Sequence, residues 1–108
     1  MTDRLLLFAA LALLATGCAP CEEACRAQTR QFSNCLAEWN MDWIDLGALD
    51  KVDYRQTCVD ETGVWLDGLG AEQRSAENAS CQALISDLTG QTDCDVVWQA
   101  LVDYGAAP

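Results

Sequence analysis

PCEEACRAQTRQFSNCLAEW, residues 20–39, carries the strongest structural pattern in the chain. At about 100° per residue, Cys21, Cys25, Gln28, Phe32, Cys35, Leu36 and Trp39 fall within a wedge of roughly 100°, while Glu22, Glu23, Arg26, Arg30 and Glu38 lie outside it. Pro20 suits a first helical position, where its missing N–H costs nothing. The stretch therefore predicts one amphipathic helix that carries three cysteines on its buried face.

Downstream, Asn40 to Leu49 is less regular and predicts a connection, with Trp43, Ile44 and Leu46 able to form a short helical turn. A second helix is expected from about Asp50 to Asp67, with Tyr54, Cys58, Trp65 and nearby Leu69 on one face. Gly63 costs that helix up to about 1 kcal/mol and is a candidate break. Gly68-Leu69-Gly70 reads as a stop. A third helix lies between Ala71 and Leu88, with Cys81, Leu84, Ile85 and Leu88 as its apolar stripe; Arg74 to Ser80 is polar enough to be loop, and Gly90 ends the segment. Thr92-Asp93-Cys94-Asp95 resembles a capping box and opens a last helix with Cys94, Val97, Trp98 and Leu101 on one face. Gly105 to Pro108 reads as a frayed end. No alternating run is long enough for a strand, and no repeat or linker divides the chain. The expected fold is all-α: one small bundle of three to four short helices over residues 18–108, stapled by disulfides.

The charge is very uneven, with 6 Lys+Arg against 17 Asp+Glu in 108 residues and a formal net charge of -11. Affinity for phosphate comes largely from Lys and Arg releasing counterions, so a nucleic-acid partner is not expected. There is no histidine, which removes the Ser-His-Asp triad, the Cys-His pair and His ligation of metal. After Arg74 come five acids and no basic residue, a surface that would attract a basic partner at low salt.

Ahead of the helical region, Met1 to Arg4 is short and polar, and Leu5 to Ala15 (LLLFAALALLA) is an apolar run of eleven residues. A spanning helix needs about 20 apolar residues, whereas the apolar part of a signal peptide is about 7 to 15. Ala15-Thr16-Gly17-Cys18, after Leu13-Leu14, resembles the lipobox of a bacterial lipoprotein signal peptide, a likeness confined to the first 18 residues. It implies removal of residues 1–17, acylation of Cys18 as the first residue of the mature chain, and a lipid bilayer as partner. Ala19 at the next position, where Asp would signal retention, implies the outer membrane, with the domain periplasmic or at the surface.

Cysteine parity agrees, because an odd count in an exported chain needs an explanation. Seven cysteines less Cys18 leave Cys21, Cys25, Cys35, Cys58, Cys81 and Cys94, enough for three disulfides. Six cysteines permit fifteen pairings. Cys35 and Cys58 are about equally far from the connection between the first two helices, which favours a hairpin bond between them and leaves Cys21 and Cys25 to reach Cys81 and Cys94. Cys25 and Cys35 have nine residues between them, similar to the twin helical-hairpin cysteine proteins, but the second such pair is missing.

Other chemistry is weakly marked. Cys21-x3-Cys25 could offer two thiolates to zinc, but disulfides are favoured in an oxidising compartment. Asp42, Asp45, Asp50, Asp53, Asp60 and Glu61 do not follow the calcium-loop spacing. Two carboxylates could serve as acid and base, although no pair stands out. Lys51, the only lysine, has no Ser-Lys motif around it, and the redox motif C-x-x-C is absent. Asn78-Ala79-Ser80 matches a glycosylation pattern and reads as polar loop or helix start. Trp39, Trp65 and Trp98 share faces with cysteines and are expected in the core. Trp43, beside Met41 and Ile44, is the interaction candidate. The expectation is a non-enzymatic structural or interaction module without cofactor or metal; the rival is an acidic inhibitor or immunity-type protein that binds a basic enzyme.

Overall fold

A computed structural model describes residues 19–108. The proposed signal peptide and Cys18 lie outside these residues. The described chain is all-helical: α1 (Pro20–Cys35), a 3-10 turn (Ile44–Leu46), α2 (Lys51–Asp67), α3 (Ala71–Leu88) and α4 (Cys94–Asp103). The hub is α1, against which α2, α3 and α4 all pack.

Each cysteine of α1 bonds a different helix. The bonds are Cys21–Cys81 to α3, Cys25–Cys58 to α2 and Cys35–Cys94 to α4, closing sequence separations of 60, 33 and 59 residues. The hairpin bond between Cys35 and Cys58 is therefore not formed. Cys35 is the last residue of α1 whereas Cys58 lies two turns inside α2, so the two are not equally far from the connection once the helices run antiparallel. Tyr54 then sits beside Phe32, at a ring separation of 5.3 Å, and one turn later Cys58 meets Cys25.

Helices on several sides widen the buried arc of α1. Ala24, Ala27, Thr29 and Gln31 are buried along with the cysteines and Phe32, an arc of about 200° at 100° per residue. Thr29 satisfies its hydroxyl by donating to the Cys25 carbonyl at 2.7 Å. Leu84, Leu88, Val97 and Leu101 supply the opposing surface from α3 and α4. By contrast, α2 buries no residue fully. Aromatic rings bridge the rest: Trp98 meets Trp39, Trp39 and Tyr54 meet Phe32, and Trp43 meets Tyr54, all at 5.1 to 6.0 Å between centroids.

The ends of the helices follow from local chemistry. Beyond Cys35 the chain turns on to Asn40, whose positive φ of 54° closes a Schellman motif with Met41 N–H donating to Leu36 C=O at 2.9 Å. Asp50 caps α2 by accepting from Asp53 N–H. The cap of α4 is Asp93, one residue later than the Thr92 reading, and it accepts from the N–H groups of Asp95 and Val96. Gly63 does not interrupt α2, and the polar stretch Arg74 to Ser80 is helix from the start of α3. Arg74 accounts for part of this, since its guanidinium donates to the Leu66 and Leu69 carbonyls at the end of α2. Nor is the carboxyl end frayed. Gly105, at φ 70°, closes a second Schellman turn with Ala106 N–H on Leu101 C=O at 2.7 Å, and Ala106 and Ala107 pack on the core.

Two substitutions test this architecture. Nothing lies within 4 Å of a Cβ built on Gly63, so Gly63→Ala should stabilise the protein by up to about 1 kcal/mol, read as a higher melting temperature. Replacing Cys35 and Cys94 together by Ala should cost about 2–4 kcal/mol in denaturant unfolding.

Candidate functional site

Three surface features gather the remaining chemistry, and each is fixed by an element already described. The first is a cleft of about 270 Å³ on the amino-terminal part of α1, walled by Thr62 and Trp65 of α2 and by Ser80 and Leu84 of α3. Its base includes the disulfides Cys21–Cys81 and Cys25–Cys58, and the turn at Tyr104 to Ala106 closes one side. Trp65 is 52% exposed here, and its neighbour Val64 is 76% exposed. The expectation that Trp65 belongs to the core is thus overturned. It does share a helix face with Cys58, but α1 begins at Pro20 and offers nothing beneath that part of α2.

The second feature is an open trough of about 460 Å³ between α3 and α4, where Asp87, Asp95 and Asp103 line a surface with Gln91, Val96 and Gln99. The phenol of Tyr104, in the turn that closes the first cleft, is pushed upward by desolvation and then by the nearby carboxylates of Asp87 and Asp103. Val96, which lines the trough, is exposed and leaves apolar area among the carboxylates.

The third is a hollow of about 310 Å³ where α1 meets the turn after α3, lined by Arg30, Asn34, Leu88 and Thr92 among others. Gln31, only 7% exposed, donates through Nε2 to the carbonyls of Leu88 at 2.5 Å and Gln91 at 3.0 Å. Between them Gly90 adopts φ 74° and Gln91 N–H returns to Leu88 C=O. Gln31 therefore clamps the turn that aims α4 back along α1. The helical wedge did not reveal it, because the wedge counts apolar faces and Gln31 is buried by its hydrogen bonds.

Trp43, the residue singled out for contact, is half-buried against Tyr54, whereas Ile44 and Leu49 on the same connection are largely exposed. Four of the acids considered for calcium bind backbone instead: Asp42 and Asp45 each accept the other's N–H, Asp50 accepts from Asp53 N–H, and Asp53 accepts from Leu49 N–H. Cys21 and Cys25 are held in separate disulfides, so the two-thiolate arrangement is not present. Among the described residues no group of three or more His, Cys, Asp or Glu side chains is placed to hold a metal ion. Also among them, no helix is long and apolar enough to cross a membrane.

No family model matches the chain, and neither the curated proteins nor the solved structures contain a match to it.

Tyr54 gives a direct readout of the packing beneath the connection. Burial raises its phenol to about 12, and its hydroxyl donates to Gln28 Oε1 at 3.4 Å. The folded state holds this proton more tightly than the unfolded chain, whose phenol titrates at 10.0. Its contribution to stability is therefore full below pH 10.0 and is lost as pH rises toward 12. Ultraviolet titration should show one phenolate forming near pH 12 that disappears in Tyr54→Phe, and that variant should lose less stability across the same window.

Proposed function

We propose that this chain is a lipid-anchored, non-enzymatic module of the bacterial cell envelope, held on the outer membrane through Cys18. The observation that carries this reading is the cysteine arithmetic. All six cysteines from Cys21 to Cys94 are paired within the chain, which leaves Cys18, at the end of the lipobox, without a cysteine partner in its own sequence. Three disulfides also fit a small domain exported to an oxidising compartment. Only Ala19 separates Cys18 from α1, so a lipid there would hold the domain directly at the bilayer. Acyl chains contribute about 0.8 kcal/mol per buried CH2, so two or more give stable anchoring without a spanning helix.

The role at that surface is structural or one of protein interaction. A second reading, an acidic inhibitor or immunity-type protein for a basic enzyme, is favoured by the trough of Asp87, Asp95 and Asp103 beside exposed Val96. Carboxylates around an apolar centre suit a basic surface, with the charges setting the encounter rate and the apolar contact the residence time.

Expression of the full chain in a Gram-negative bacterium, membrane extraction, alkylation without reduction and intact mass measurement test the first reading. The expected product begins at acylated Cys18 and carries no alkylated thiol, while Cys18→Ala accumulates unlipidated. An unlipidated wild type with several alkylated thiols would overturn it. The second reading predicts binding to a basic enzyme such as a lysozyme that weakens by about tenfold or more from low to physiological salt and again in Asp95→Asn/Asp103→Asn. Absence of binding and inhibition across a panel of basic enzymes would count against it.

A further inference from the structure

The hairpin of α2 and α3 projects past the start of α1 with apolar side chains on show. Cys58 is bonded to Cys25, and α2 runs antiparallel to α1, since Tyr54 lies beside Phe32 and Gln28. Trp65 is seven residues beyond Cys58, about 10 Å at 1.5 Å per residue, which brings it just past the start of α1 at Pro20. Cys21 and Trp65 line the same cleft, in agreement with that count. In this projecting part Val64 and Trp65 are exposed, and the first buried residue of α3 is Leu84. Ala19, where the described residues begin, therefore lies at about the same level as Trp65.

From this placement we propose that the α2–α3 tip, through Trp65 and Val64, rests on the phospholipid bilayer that holds the anchor. The inference rests on acylation of Cys18 and adds which face of the domain meets the membrane. Trp is favoured at the membrane–water interface, where its ring is half apolar and its N–H stays wet. Anchoring at position 18 holds the tip beside the bilayer at high effective concentration, so even a small apolar contact is occupied. Asp67 and Glu72 flank the turn of the hairpin, while Arg74 is engaged with the Leu66 and Leu69 carbonyls. The charge thus suits zwitterionic rather than anionic head groups. It also keeps the tip at the head-group level and does not favour deeper insertion.

The test uses the full lipidated chain in phosphatidylcholine vesicles, with and without bromine-labelled acyl chains, and takes the wild-type minus Trp65→Phe emission as the Trp65 signal. The expected signal is blue-shifted and quenched about twofold by bromolipid, as for an interfacial Trp, with less quenching in Val64→Asp. A protein that floats with the vesicles but shows an unquenched, water-like Trp65 signal overturns the contact and leaves the anchor standing. A wild-type chain that does not float with the vesicles overturns the anchor, and the bilayer contact with it.

Discussion

Cys21, Cys25 and Cys35 occupy one face of α1, and each bonds a different helix, so the position of every other element is set relative to this one. The constraint matters because the partner helices hold little for themselves. α2 buries no side chain fully, and α3 buries Leu84 and Leu88 alone. Residues 19–108 make a modest core, near the range where covalent cross-links matter for stability. Each bond removes conformations from the unfolded chain, and the entropy removed grows with the loop closed. Bonds spanning 33, 59 and 60 residues are therefore long enough to act strongly.

Around this frame the polar groups serve local geometry. Phe32 lies between Trp39 and Tyr54 at the centre of the aromatic contacts, and Gln31 fixes the turn from which α4 starts. Asn40, Gly90 and Gly105 stand at positive φ where the chain must reverse direction. Several carboxylates close turns or cap helices, so part of the acidity is engaged with backbone N–H groups. What remains is displayed most clearly between α3 and α4, away from the proposed bilayer contact, where a soluble partner has room to approach.

The helix count, the cysteine face of α1 and the apolar face of α4 were legible in the sequence because each depends on local periodicity. The disulfide pairing was not, since it depends on how deep each cysteine lies in its helix once α1 and α2 run antiparallel. Periodicity also placed Trp65 on the correct face of α2, but its burial depends on whether another helix lies alongside, and α1 has not yet begun at that level. Gln31 was hidden for the opposite reason: a polar residue enters the interior when it can serve carbonyls brought from elsewhere in the chain. The acidic trough needs two helices side by side, so the charge count foretold its sign and not its location.

If α1 is the covalent hub, the disulfide map must show it. Proteolysis of the unreduced protein at acidic pH, where disulfides do not exchange, followed by mass spectrometry of the linked peptides, reads that map. The expected linked peptides are Cys21–Cys81, Cys25–Cys58 and Cys35–Cys94 and no others. A peptide joining Cys35 to Cys58, or any bond between two of the three cysteines of α1, would show that the helices are not arranged around α1 in this way.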